Sequence, residues 1–97
     1  MQPTKRIEII VNSLELEEVL GILDRLKFPG YTVIHDTAGK GDRGEFRNDL
    51  GRGFSNSYIL TTCDSDGQLD ALVHDLRPIL KRVGGLCLVS DAALISH

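Results

Sequence analysis

The run from Ser57 to Val89, SYILTTCDSDGQLDALVHDLRPILKRVGGLCLV, decides how this chain folds. Its first seven residues, SYILTTC, are mostly β-branched, aromatic or aliphatic and read as a strand. Ser65-Asp66-Gly67-Gln68 follows as a capping box, a hydroxyl at the cap and a glutamine three residues on. It opens a helix in which Leu69, Leu72, Val73, Leu76, Ile79 and Leu80 keep helical spacing along one stripe. Pro78 removes one backbone bond late in that helix, so a kink or an early 3₁₀ finish is expected there. Gly84-Gly85 breaks the helix, and Leu86 to Val89 (LCLV) reads as the next strand.

The same order appears upstream. Lys5 to Val11 (KRIEIIV) alternates so that Ile7, Ile9 and Val11 share one face of a strand. Asn12 or Ser13 caps a helix whose first turn carries Glu15, Glu17 and Glu18, where the helix dipole favours acids. Leu16, Val19, Leu20, Leu23 and Leu26 form its apolar stripe, and Pro29-Gly30 ends it. Tyr31 to Asp36 is a further strand. The order β-α-β-β-α-β is the ferredoxin-like split βαβ pattern: an α+β fold with a four-stranded antiparallel sheet and both helices on one face. The other face also needs cover. Ile10 stands beside Ile9, Tyr58 and Leu60 flank Ile59, and Leu86 and Leu88 flank Cys87. A half-exposed antiparallel sheet alternates more cleanly than this. No element of the chain remains to cover that face, so an obligate homo-oligomer is expected.

Between the second and third strands lies Ala38 to Phe54, which reads as neither helix nor strand. It holds Gly39, Gly41, Gly44, Gly51 and Gly53, half of the chain's 10 glycines, interleaved with Lys40, Arg43, Arg47 and Arg52. Loops longer than about 12–15 residues are uncommon in small domains unless they serve a function or are disordered. Backbone N–H groups and guanidinium forks in this pattern suit an anion. The competing reading is a solvated hairpin in which Arg43 and Arg47 pair with Asp42, Glu45 and Asp49; composition alone does not separate the two. The spacing is not that of a P-loop, and no strand-to-helix context supports a dinucleotide fingerprint. Gly84-Gly85 is a second glycine feature, serving as a helix C-cap, as a close approach for a ligand, or as both.

A chain of 97 residues is one domain, 1–97, with 41% apolar and 26% charged residues. A net charge of −3 argues against general nucleic-acid binding. No apolar run has the length of a membrane span and no signal-peptide core is visible, so a cytoplasmic protein without direct membrane insertion is expected. Cys63 and Cys87 read as packed thiols, and His35, His74 and His97 show no metal-ligand spacing, so no structural metal is expected.

Gly30-Tyr31-Thr32-Val33 leading into Gly39-Lys40-Gly41-Asp42-Arg43 resembles the GYTV…GKGxR signature of PII-like signalling proteins. More narrowly, it is similar to the branch linked to inorganic-carbon uptake: SbtB-type regulators of a bicarbonate transporter and carboxysome-associated PII proteins. The resemblance extends through Gly84-Gly85-Leu86-Cys87-Leu88-Val89-Ser90-Asp91. It implies a homotrimer with an adenine nucleotide (ADP, AMP, ATP or cyclic AMP) in the cleft between subunits. The long loop, about 38–54, corresponds to the T-loop, and a short turn, about 83–86, to the B-loop. Carried over, Gly39, Lys40, Gly41 and Arg43 face phosphate, with Arg47 a second phosphate ligand. Gly84 and Gly85 fall in the B-loop, and Leu86 beside the base. The B-loop here reads Gly-Gly-Leu-Cys rather than a GDGK-like run, and the T-loop lacks the tyrosine modified in many nitrogen-regulatory members. The resemblance therefore implies nucleotide and bicarbonate sensing, with a membrane bicarbonate transporter as partner through the T-loop. A nitrogen-regulatory or general adenylate sensor is the alternative within the family. A small phosphate-ester hydrolase on the same fold is the alternative outside it. Such hydrolases place an arginine after the first strand, where this chain has Asn12-Ser13-Leu14-Glu15. No catalytic constellation is visible in the spacing, so an enzyme is not expected.

Overall fold

A computed structural model describes residues 1–37, 39–41, 44–46 and 55–97, the two short inner segments by their backbone alone. Strand β1 (Gln2–Asn12) leads through a 3₁₀ turn (Ser13–Glu15) into helix α1 (Leu16–Arg25) and strand β2 (Tyr31–Thr37). Strands β3 (Gly39–Gly41) and β4 (Gly44–Phe46) follow, then β5 (Asn56–Cys63), helix α2 (Asp66–Val83) and β6 (Leu86–Leu94). The main sheet has the order β2-β5-β1-β6, each neighbouring pair antiparallel. This is the ferredoxin-like arrangement expected from the sequence.

The register explains which residues enter the core. Val33, Ile59, Ile9 and Cys87 align across the four strands, so their side chains share a face. Ile7, Ile9, Val11 and Ile59 are fully buried on it beneath Val19, Leu23, Leu72 and Leu76. The predicted stripes hold: Leu16, Val19 and Leu23 of α1 and Leu72, Leu76 and Ile79 of α2 are buried, with Ile22 a further member. Each fully buried aliphatic side chain contributes about 1.5–3 kcal/mol relative to exposure.

The helix ends show local chemistry. Asn12 Oδ1 accepts from the Leu14 N–H at 2.9 Å, and Ser65 Oγ accepts from the Gln68 N–H at 3.2 Å. The capping box is half made, because Gln68 Nε2 donates to the Leu26 carbonyl (2.9 Å) and so ties the start of α2 to the end of α1. That end arrives before Pro29-Gly30. Lys27 adopts φ 63°, Phe28 N–H bonds to the Leu23 carbonyl and Lys27 N–H to that of Asp24. This is a Schellman stop with lysine in the usual glycine position. The early 3₁₀ finish at Pro78 does not form: α2 continues to Val83 and closes with Gly84 N–H on the Leu80 carbonyl at 2.8 Å. Proline removes only its own N–H, while Ile79, Leu80 and Val83 beyond it pack on the core and hold the last turn.

The opposite face of the sheet bears the row Ile34, Tyr58, Ile10 and Leu86, with Thr32, Leu60, Glu8 and Leu88 beside it. Ile34, Leu86 and Leu88 are 53%, 42% and 56% exposed in the single chain, so this apolar face is uncovered. Charge sits on it as well, at Glu8 and Arg6 two residues apart on β1. Glu8 accepts from the Tyr58 hydroxyl at 2.7 Å and lies 3.4 Å from Arg6. That bond, then burial and the carboxylate charge, push the Tyr58 phenol above its ordinary value.

Candidate functional site

Strands β1 and β2 leave the sheet, and β5 and β6 enter it, at one end. The antiparallel register requires this, since Asn12 pairs with Asn56, Thr37 with Asn56, and Ile10 with Leu86. Both glycine features lie at that end. The stretch beginning at Ala38 leaves from β2, and Gly84-Gly85 delivers the chain into β6. They nevertheless sit on opposite edges, separated by β5 and β1. Three inter-strand gaps amount to about 14 Å. Within one chain the two features thus root on different edges, whereas two chains meeting edge to edge would set unlike roots side by side.

The loop stretch is not free of secondary structure. Gly39 pairs with Phe46, Lys40 with Glu45 and Gly41 with Gly44 in an antiparallel hairpin, which corrects the expectation of neither helix nor strand. Glycines permit extended backbone, and the two halves are close enough in sequence for the ladder to form locally. Arg43 and Arg47 lie outside the described residues.

The foot of the loop is held from both sides. On the outgoing side Asp36 has φ 59°, the register with β5 shifts between Ile34 and Thr37, and Thr37 Oγ1 donates to the Asn56 carbonyl at 3.1 Å. On the returning side Ser13 N–H donates to the Ser55 carbonyl at 2.8 Å. Ser13 Oγ also lies 3.0 Å from Ser55 Oγ and 2.9 Å from Ser57 Oγ. Ser55, Asn56 and Ser57 are all buried. Sequence reasoning missed this polar cluster. The signal was Ser55-Asn56-Ser57 at a strand entrance, with Ser57 on the core face where Val11 is its register partner.

Gly84 and Gly85 adopt φ 82° and 101°, a conformation that side chains rarely tolerate. A Cβ on Gly85 would stand 2.5 Å from the Ile10 carbonyl oxygen, so close packing on β1 already demands glycine there. Leu86 is half exposed at the end of the open face. The described residues thus set Gly84, Gly85 and Leu86 at the entrance to β6, and Gly39, Lys40 and Gly41 in the hairpin that follows β2, the strand on the other edge.

Both cysteines are free, with their thiols pushed up by burial. Cys63 is registered with Lys5 and Cys87 with Ile9, which separates them by two strand spacings and four residues along the sheet. That is well beyond disulfide reach. Among the described residues no group of His, Cys, Asp and Glu could hold a metal ion, and no helix is long and apolar enough to cross a membrane.

The family model for the nitrogen regulatory protein P-II matches residues 4–97. This chain belongs to the P-II family. P-II proteins are typically trimers, and their signalling members are generally non-enzymatic. No curated protein matches the chain. Among solved structures it is similar to CPII of Thiomonas intermedia K12 bound to ADP and bicarbonate. The two share 25% identity at a TM-score of 0.84, over 95% of this chain and 88% of that one. CPII bound to ADP, AMP and bicarbonate matches at 23% identity and TM-score 0.84, again over 95% and 88%. The apo form of CPII matches at 22% identity and TM-score 0.78, over 95% and 91%. The P-II fold is therefore shared over almost the whole chain.

Proposed function

We propose that this chain is a P-II signalling protein that assembles as a homotrimer and binds an adenine nucleotide, ADP or AMP, between subunits together with bicarbonate. It regulates inorganic-carbon uptake through the loop at about 38–54. One observation supports the reading: two glycine motifs root at the same end of the sheet on opposite edges, where two chains meeting edge to edge would bring unlike motifs together. The likeness to CPII, which binds ADP and bicarbonate, supplies the ligand class. Gly39, Lys40, Gly41, Arg43 and Arg47 are the phosphate side of the site, and Gly84, Gly85 and Leu86 its other wall. Ordering backbone costs about 1–2 kcal/mol per residue, while charge-assisted bonds from Lys40 and Arg43 contribute about 1.5–3 kcal/mol each. Two or three such bonds hold the base of the loop and leave the rest responsive to a partner, a membrane bicarbonate transporter.

Calorimetric titration with AMP, ADP, ATP and cyclic AMP, each with and without bicarbonate, tests this. Binding that tightens with bicarbonate is expected; binding indifferent to it would leave a general adenylate sensor, and no binding would refute the reading. Replacing Arg43 by alanine should weaken ADP by about one to two orders of magnitude. Recovery of a bicarbonate transporter from membranes, dependent on the nucleotide supplied, tests the partner separately.

A further inference from the structure

Helices α1 and α2 lie side by side on the sheet, and the groove between them, of about 440 Å³, opens away from the uncovered sheet face. Both helices line it with one pattern. On α1 it is Glu18, Gly21, Ile22 and Arg25; on α2, at the same spacing, it is Asp75, Pro78, Ile79 and Arg82. The two isoleucines are buried and form the floor. Arg25 donates to Asp75 at 2.7 Å and Arg82 to Glu18 at 3.0 Å, so the helices run antiparallel and the charges alternate in sign around the corners of the groove. Gly21 and Pro78 sit between the two ion pairs. Both are poor helix residues, yet nothing within the chain requires them: a Cβ on Gly21 meets nothing within 4 Å, and Pro78 is exposed. Local rules broken without a gain inside the fold point to a contact outside it.

We propose that this groove is a self-association surface, on which a second copy of the chain docks about a two-fold axis lying across the helices. Turned over about that axis, the second copy lays its α1 antiparallel on α1 and its α2 on α2. Glu18 then meets the second copy's Arg25, and Asp75 meets its Arg82. Each contact is made twice, as a two-fold interface requires. An axis along the helices would instead stack the acidic end, Glu15, Glu17 and Glu18, on itself. Among the described residues each guanidinium bonds through Nη2 alone, which leaves donors of the fork for a second carboxylate. Gly21 falls at the crossing, where a missing side chain lets two backbones approach. The patch is small, since the pattern spans roughly 10 Å along each helix. Association is therefore weak, in the roughly 0.1–1 mM range, and dilute protein keeps whatever unit the sheet face forms. It asks nothing of the nucleotide site.

Sedimentation of the full chain from about 10 µM to about 1 mM, at low salt and at about 0.5 M salt, tests this. At low salt the mass should rise with concentration above that of the dilute protein, and high salt should reverse the rise, because exposed charges are screened. Gly21→Gln puts a good helix former at an exposed position, so it folds at least as stably as the parent. Its side chain stands in the crossing, and association should weaken about 10-fold or more. The exchange of Arg25→Asp together with Asp75→Arg keeps an ion pair within the chain but sets like charges against each other across the axis. That protein should hold the dilute mass at every concentration. A parent whose mass does not change up to about 1 mM overturns the proposal. So does association that either folded variant retains in full, or that salt strengthens.

Discussion

Glycine-to-alanine has opposite consequences at two positions. At Gly21, exposed inside α1, an added Cβ meets nothing within 4 Å. The substitution only removes unfolded-chain freedom and should stabilise by about 0.5–1 kcal/mol. At Gly85 the same methyl meets the Ile10 carbonyl oxygen at 2.5 Å on a backbone with φ +101°. Loss of about 3 kcal/mol is expected, because neither β1 nor the turn can yield without breaking the β1–β6 ladder. Urea midpoints of the two variants, moving in opposite directions, check both. Tyr58 gives a pH signature. Its phenol is raised above 10.0, first by its bond to Glu8. A raised group contributes fully below its unfolded value and loses that contribution as pH rises through the folded one. The stability difference between the parent and Tyr58→Phe should therefore be constant near neutrality and shrink above pH 10, read from melts across that range.

At the scale of elements, α2 carries a proline that its packing overrides. Pro78 is exposed and lies within 18 residues of continuous helix, so its ring and missing N–H are a net loss. Pro78→Ala should stabilise by about 1–3 kcal/mol, seen as a higher melting temperature with unchanged helical content. The ion pairs between the helices are a different matter. Arg25–Asp75 at 2.7 Å and Arg82–Glu18 at 3.0 Å are substantially exposed, and each contributes under about 1 kcal/mol. The strands, both apolar stripes and the Ser65 cap were legible in the sequence because they depend on periods and contacts a few residues apart. The stop at Lys27 was not, since lysine has no preference for positive φ and the tertiary fit of Phe28 and Leu23 decides it. The serine cluster was hidden for a related reason. Ser13 and Ser57 meet only after the sheet register aligns residues 44 apart. For the proposed site, glycine and arginine content singled out the two glycine features, but only the strand order shows that they root at one end of the sheet on opposite edges.

For the whole molecule, the decisive surface is the open face. Ile34, Leu86 and Leu88 are too exposed in a single chain for an apolar sheet facing water, and Glu8 is already partnered by Tyr58 and Arg6. A face of this kind suits burial against copies of itself, with the polar trio satisfied internally. Leu88→Lys tests the point sharply. If Leu88 faced solvent, the change would fall within about 0.5 kcal/mol, as surface substitutions do. In the proposed trimer it places an unpaired charge in each buried face, a cost of several kcal/mol per chain. Sedimentation should then show the parent as three chains and the variant as one. Far-ultraviolet dichroism should persist, because the core between helices and sheet does not include Leu88. Affinity for ADP should fall together with the loss of trimer, since in the proposed site edge must meet edge. A variant that remained trimeric would remove this face from the interface. One that became monomeric yet bound ADP undiminished would place the nucleotide within a single chain, against the edge-to-edge geometry.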